Sequence, residues 1–370
     1  MKFHRRLGTA CAVALVLTAG SVAPAHAQGD HAATQALLDQ YLMQAGPGAA
    51  VYAGDSTEAW TLTAGTAEFG THRPITTADH YRIGSQTKTF TAAVVLQLFD
   101  EGRVELDAPI ERYLPGVVTG NYDGHVITVR QLLQHTSGLV RDVRDPRAEP
   151  DGTFTLAALV ASAMDEPPQA APGATIAYSN VAYLVLGMLI ERVTGQSAGE
   201  AITNRVITPL GLEGTSFPAP RTRGLPDPYL PGYGGGRIGG FYFWYEMTTS
   251  AELSLWSTAG NMASTLDDLV EFFQALGGGR LFSATALAEM RRVVAVGGAG
   301  AGLGIDRVPL PCGGEAWAKN GGLSTGHTST TLVTDDGRFA SIVTNTLAGS
   351  AAAIQLGMDV VKSAVCEGVS

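Results

Sequence analysis

Ser85 and Lys88 stand three residues apart in RIGSQTKTF (residues 82–90), at the head of the apolar run FTAAVVLQLF. If a helix starts near Ser85, that spacing puts both side chains on one face, a turn apart. It also sets the serine at the positive end of the helix, where an anionic nucleophile or oxyanion is favoured. A serine hydroxyl is a useful nucleophile only when a neighbour takes its proton. A partly buried lysine beside other positive groups can be neutral enough to help, and an arginine cannot. The residue type is informative in this chain: of 24 basic residues, 20 are arginine and only Lys2, Lys88, Lys319 and Lys362 are lysine.

Two further stretches carry suitable groups. Tyr178-Ser179-Asn180 follows Pro172-Gly173 and precedes a helical pattern, which Ser179 or Asn180 can cap while Tyr178 packs or reacts. Lys319-Asn320-Gly321-Gly322 lies in a strand pattern whose two glycines mark a close approach of another backbone, or a bulge. An extended substrate adding to the sheet edge would be such a backbone.

The elements that must position these groups follow from periodicity and punctuation. Residues 31–45 form an amphipathic helix, and residues 49–53 and 59–63 form paired strands around a Gly54-Asp55 turn. The segment Thr87 to Glu101 is apolar on nearly all sides and stops at Gly102, so it is a buried helix. Residues 128–139 read as a helix from the cap Thr128 to Gly138, residues 181–195 as a helix closed by glycine, and residues 264–279 as a capped helix with two early acids. Residues 221–250 read as a long Pro/Gly/aromatic loop, and its glycines lack the strand-then-helix setting of a phosphate site. Strands return at 315–323, 328–334 and 338–346, and a final helix runs from about Ser350 to Val365. Strands at both ends around a helical middle predict an α/β lobe built from residues 28–110 and 275–370, with an all-helical lobe, 111–274, inserted.

With these elements in order, SxxK at 85–88, YSN at 178–180 and the Lys-x-Gly strand at 319–321 resemble the three active-site motifs of the penicillin-recognising serine enzymes. ITVRQLLQHTSGL, PGATIAYSNVAYLVLGMLIERVTG and TPLGLEGTSF resemble framework segments of the branch that holds soluble DD-carboxypeptidases, class C beta-lactamases and related esterases and D-peptidases. The resemblance covers residues 31–366. It implies a beta-lactamase/transpeptidase-like fold, an antiparallel five-stranded sheet flanked by helices with an inserted helical lobe. It also implies the roles. Ser85 is the acylated nucleophile, Lys88 shares its proton, and Tyr178 acts as general base and then acid. Asn180 binds the amide of the acyl part, and Lys319 supplies positive field and draws a substrate carboxylate. The backbone N–H groups of Ser85 and Gly322 form the oxyanion hole, beside Asn320 and Gly321. Trp256, in LSLWSTAG, is similar to an aromatic that lines the acyl pocket of the carboxypeptidases.

The expected activity is that of a secreted D-alanyl-D-alanine carboxypeptidase, with transpeptidation as a further capacity. A class C-type beta-lactamase, a D-stereospecific peptidase or amidase, and an esterase are the alternatives on the same chemistry. One departure bears on the choice. Asn320 stands where the nearest motifs carry a threonine that helps hold the substrate's free carboxylate. Arg307, in GLGIDR, is a substitute anchor only if its strand register points it inward. His135 and His327 do not make a Ser-His scheme, because one belongs to a helix-end segment and the other to a glycine turn without an acidic partner nearby.

Composition bounds the rest. Residues 1–27 hold a basic start, an apolar run from about Leu7 to Leu17 and an Ala-His-Ala ending, the pattern of a cleaved secretory signal peptide. No run approaches the ~20 apolar residues of a membrane helix, so no membrane anchor is expected. Removing residues 1–27 takes away Lys2, Arg5 and Arg6 and no acid, moving the formal charge from −10 to −13. That balance argues against nucleic acid as a partner. The expected partner is a small peptide or a beta-lactam, and the expected state a monomer. Cys312 and Cys366 then remain as an even pair in an oxidising compartment, most simply a disulfide, and a similar one occurs in a secreted carboxypeptidase of this branch. Eight histidines include no HxxxH or HxH cluster, so neither metal nor cofactor is expected. Of the three lysines in the processed chain, two fall in the site motifs, and an intact Ser85, Lys88 and Tyr178 set argues against a purely binding role.

Overall fold

The small residues of GAAVYAG let one strand pack closely against its neighbours and lie almost wholly buried, while AWTLTAG beside it is a partly exposed edge strand. A computed structural model describes residues 31–238, 241–296 and 298–367. The expected signal peptide, residues 1–27, lies outside the described residues. Helix α1 (Ala32–Ala45) leads into β1 (Gly48–Gly54) and β2 (Ala59–Gly65), antiparallel with Ala49 opposite Ala64. The two-residue strand β3 (Tyr81–Arg82) precedes α2 (Thr87–Asp100). The helices α3 (Val129–Leu133), α4 (Leu156–Ala163), α5 (Asn180–Thr194), α6 (Ala198–Ile202) and α7 (Thr208–Leu210) follow. A hairpin of β4 (Tyr233–Ile238) and β5 (Phe241–Glu246) stands before α8 (Ser257–Gly260), β6 (Ala263–Ser264), α9 (Leu266–Gly277) and α10 (Ala284–Met290). The chain closes with β7 (Val294–Val296), β8 (Ala299–Ala301), β9 (Asp306–Pro309), β10 (Glu315–Leu323), β11 (His327–Val333), β12 (Phe339–Thr344) and α11 (Ala351–Cys366).

The main sheet runs β2-β1-β12-β11-β10-β9-β8-β7, antiparallel throughout. The first strands therefore pair with the last, Val51 facing Ile342 across the join. Alternation sorts the side chains. Ala49, Val51, Leu332, Ile342 and Ala318 face α1 and α11, while Ala50, Trp317 and Val343 face the larger core of α2, α5 and α9. Every residue of β11 and β12 is buried, as central strands covered on both faces must be. The expected five strands are the long ones, β2, β1, β12, β11 and β10. The sheet has eight among the described residues, because β9, β8 and β7 extend it past β10. These three are three or four residues long, too short to show an alternation.

Helix α2 is buried at eleven of its fourteen positions. Its buried threonines find partners: Thr89 Oγ1 donates to the Gly304 carbonyl and Thr91 Oγ1 to that of Thr258, both at 2.8 Å. Phe90 stacks on Phe272 of α9 with ring centres 3.7 Å apart.

Two sequence expectations change. The helix read at 128–139 ends at Leu133. Thr128 and Gln131 close a reciprocal capping box at its start, but the chain turns left-handed at His135, φ +58°, well before Gly138. The loop read at 221–250 contains the hairpin, Tyr233 opposite Glu246. Its strand FYFWY is mostly exposed and shows no two-sided pattern, so its residues resemble a loop. The hairpin is anchored at Tyr233, whose N–H donates to the Asn345 carbonyl at 2.8 Å and whose hydroxyl accepts from Phe69 N–H at 3.0 Å.

Cys312 and Cys366 are joined, with Cα atoms 5.6 Å apart across a sequence separation of 54. The bond ties the turn after β9 to the end of α11. On the chain-entropy account it contributes roughly 4 kcal/mol. A reductant should therefore lower the melting temperature of the wild-type protein by several degrees and leave a Cys312→Ser/Cys366→Ser variant where it was. Identical melting of the wild type with and without reductant would show that the pair contributes nothing.

Candidate active site

The sequence RIGSQ builds a tight entry into α2. Strand β3 pairs with β6, Arg82 opposite Ala263, and the chain then makes a one-turn 3₁₀ segment, Gly84–Gln86. Gly84 has φ +52°, and a Cβ there would stand 2.6 Å from both the nitrogen and the oxygen of Gly322. A Cβ on Gly321 would lie 1.9 Å from the Ile83 carbonyl oxygen. Gly84 and Gly321 thus let β10 press against the turn that carries Ser85. The backbone whose approach Gly84 and Gly321 permit is the chain's own. Gln86 Nε2 donates to Ser329 Oγ at 2.8 Å and fixes the turn to β11.

Ser85 is half-buried at the end of this turn. Its Oγ accepts from Lys88 Nζ at 3.1 Å and from the Tyr178 hydroxyl at 2.6 Å. Lys88 is wholly buried, and its ammonium also donates to Asn180 Oδ1 at 2.7 Å and to the Ala259 carbonyl at 2.6 Å. Asn180 Nδ2 in turn donates to Asp142 Oδ1 at 2.5 Å. Of the two residues suited to cap α5, Ser179 does so, accepting from Ala182 N–H at 3.0 Å, which leaves Asn180 for the site. Lys319 is 3% exposed and donates to Asp306 Oδ2 at 3.0 Å.

The electrostatics follow from burial and these neighbours. Burial pushes the Lys88 ammonium below its ordinary value, and Lys319 adds to the push, against the opposing pull of Tyr178 and Asp142. Burial alone would raise Tyr178, but the Lys88 and Lys319 charges, with the contacts of its hydroxyl to Lys88 and Ser85, bring it below a free tyrosine. For Lys319 burial works downward, yet Asp306 and Tyr178 overcome it and hold the ammonium above its usual range. Two groups in contact with Ser85 Oγ are thus easier to deprotonate than in water, and the third charge nearby stays positive. Such a set can take a proton from the serine as it attacks.

A cavity of about 420 Å³ opens on Ser85. Arg141, Tyr178, Asn180, Trp256 and the stretch Asn320-Gly321-Gly322-Leu323 line it, so the structure gathers every residue the three motifs nominated, with Lys88 and Lys319 behind the wall. The Gly322 nitrogen borders the Ser85 turn, where an oxyanion donor would be needed. Arg307 is turned away, its Nε 3.6 Å from Glu315. His327 is buried elsewhere, held near the Leu230 carbonyl at 2.9 Å and pushed down to about 4 by burial. His135, in contrast, lies against Tyr178, ring centres 4.3 Å apart. Arg141, Asp142 and Asp306 were not nominated. Arg141 and Asp142 sit in a loop without periodicity, and Asp306 belongs to the short strand β9. No group of three or more His, Cys, Asp or Glu among the described residues could hold a metal ion, and none of the described helices is long and apolar enough to cross a membrane.

Lys88→Arg keeps the charge but cannot release a proton, and its larger planar head does not fit three acceptors set for one ammonium. Acylation of Ser85 by a fluorescent penicillin should fall by roughly 10²–10⁴-fold, measured as a single-turnover rate. A near-normal rate would show that Lys88 does not handle the proton.

Residues 34–360 match the profile of the family described as Beta-lactamase. Among relatives, Penicillin-binding protein 4 of Amycolatopsis lactamdurans is 34% identical over 167 residues, 45% of this chain and 43% of that protein. Protein flp of Staphylococcus aureus strain N315 is 32% identical over 198 residues, 51% of this chain and 37% of that protein. The chain thus aligns with under half the length of either relative. Among solved structures, a D-stereospecific amidohydrolase from a Streptomyces species superposes with a TM-score of 0.77 at 40% identity, covering 88% of this chain and 97% of that one. A D-amino acid amidase from Ochrobactrum anthropi SV3 superposes with a TM-score of 0.74 at 25% identity, covering 90% and 98%. With the matched profile spanning the sheet, the helices and all three motifs around Ser85, the chain belongs to the Beta-lactamase family of serine hydrolases.

Proposed function

We propose that this protein is a D-stereospecific acyl-serine hydrolase that cleaves amide or ester bonds on the carbonyl side of a D-residue. The observation that carries the chemistry is Ser85 Oγ in hydrogen-bond contact with both Lys88 and Tyr178 at the floor of one cavity. In the step that follows, Ser85 Oγ bonds to the substrate carbonyl carbon as its proton passes to the Lys88–Tyr178 pair. The N–H groups of Ser85 and Gly322 receive the oxyanion. Tyr178 returns a proton to the leaving nitrogen or oxygen as its bond to carbon breaks, and water then hydrolyses the acyl-serine. Trp256 and Asn180 border the acyl part. The D preference is supported by the 40% identical Streptomyces amidohydrolase. An exported location with residues 1–27 as leader belongs to the same proposal.

The D-alanyl-D-alanine carboxypeptidase expected from the motifs is the second reading. Such an enzyme needs a cation or hydroxyl for the substrate's terminal carboxylate. Here Asn320 replaces the threonine, Lys319 is already paired with Asp306, and Arg307 faces Glu315. One observation favours this reading, the cation Arg141 on the cavity wall. Purified protein offered D-phenylalanine amide, its L enantiomer and an N-acylated D-Ala-D-Ala peptide separates the two. Hydrolysis of the D amide over the L amide by about 10²-fold or more, with little release of D-alanine, is expected. The reverse pattern would establish the carboxypeptidase, and an intact mass showing no adduct on Ser85 with any substrate or beta-lactam would sink both.

The Lys319 charge favours the Tyr178 phenolate, so Lys319→Gln removes a cause of the lowered tyrosine value. If the phenolate is the base, activity is lost as pH falls through its titration, and the variant's acid limb of kcat/KM should move to higher pH. An unshifted limb would assign the base to another group.

A further inference from the structure

We propose that His135 is a positioning residue for Tyr178, holding the tyrosine hydroxyl on Ser85 through the acceptor at Nδ1. Tyr178 belongs to no helix or strand. It lies in an extended segment ahead of α5 with no neighbouring strand to hold it. His135 supplies what a strand would have supplied. Its carbonyl accepts from Ala177 N–H at 2.7 Å, and its Nδ1 accepts from Ser179 N–H at 3.2 Å, so two bonds from one residue bracket Tyr178. Between them the imidazole lies on the tyrosine ring, centres 4.3 Å apart.

The left-handed backbone makes this double contact available. At φ +58° the carbonyl and the ring of His135 face the same segment, and a non-glycine residue adopts that conformation only where the surroundings enforce it. Accepting at Nδ1 leaves the proton on Nε2, which meets no hydrogen-bond partner among the described residues although it is buried. A neutral ring is required, since a proton on Nδ1 would displace Ser179 N–H. Lys88, Lys319 and Arg141 face it with their charges and Tyr178 and Tyr183 with their rings. Burial and those three charges hold His135 well below an ordinary histidine, so the acceptor persists through the neutral range.

This inference rests on Tyr178 acting in acylation, and the test distinguishes the two. His135→Asn and His135→Gly both tolerate the left-handed turn. Asparagine places Oδ1 where Nδ1 stood, and glycine has no acceptor. Single-turnover acylation of Ser85 by a fluorescent penicillin, over a range of drug concentration, gives the limiting rate and the half-saturating concentration separately. The asparagine variant should stay close to the wild-type limiting rate. The glycine variant should lose about 10²-fold in that rate with the half-saturating concentration little changed. Equal rates in the two variants, or a comparable loss in asparagine, would overturn the assignment. Should the glycine variant fail to melt cooperatively, a folded asparagine variant decides alone by the same criterion. A wild-type protein that forms no Ser85 adduct would instead overturn the role of Tyr178, and this inference with it.

Discussion

Lys88 has no exposed surface, and its ammonium reaches three acceptors, none of them a carboxylate. Three donors meeting three acceptors satisfy the geometry of an ammonium completely, yet the charge itself is not neutralised. The cost of taking it out of water therefore appears as a lowered proton affinity. The acceptors come from three places: the turn before α2, the first residue of α5 and the carbonyl of Ala259 in α8. Satisfying one buried ammonium thus fixes the mutual position of three segments, and Ser85 is one of the groups so fixed.

The second constraint is steric. The turn carrying Ser85 and the strand β10 come so close that a Cβ on Gly84 or Gly321 would collide with backbone. Backbone contact of this kind does not relax through a side-chain rotation, so the distance between the nucleophile and the strand edge is set rigidly. Tyr178 has no regular element to hold it; Gln169 Nε2 donates to its carbonyl at 3.0 Å, and residues 135 and 141 hold its neighbours. The Asn180 N–H donates to the Arg141 carbonyl at 2.7 Å, and His135 holds the residues on either side of the tyrosine.

Much of this was legible in the sequence wherever the cause is local. The five long strands are short runs bounded by turn residues, α2 is apolar all round, and Thr128, Ser179 and Thr265 cap helices through their own following residues. The site residues were found because lysine is rare in this chain and the motif order matched the lobe order. What escaped depends on distant partners. Strands β7 to β9 are too short for a pattern and exist because β10 offers an edge. Asp306 lies on one of them, so its pairing with Lys319 could not be read. Arg307 is its neighbour, and its pairing opposite Trp317, two residues along the strand from Lys319, leaves it beside Glu315. His135 is no partner of Ser85, as its place in a helix-end segment implies, but its contact with Tyr178 is not visible in a helix read through to Gly138. Its left-handed turn, which brings it to Tyr178, is imposed by the segment at 173–179.

Two buried lysines in one site, in the same protein and some of the same field, end with opposite shifts. Lys88, with only neutral acceptors in direct contact, is pushed down. Lys319, with Asp306 3.0 Å away, is held up. The difference is one carboxylate, and it divides the labour. A group that must give and take a proton has to be near the point of losing it, and a group that must supply a steady positive field has to be far from that point. Lys319 stays charged and lowers both Lys88 and Tyr178, so the pairing with Asp306 acts on the nucleophile at second hand. An arginine at 319 could supply the field, but an arginine at 88 could not cycle. The requirement for lysine is therefore strict at one position and set by fit at the other.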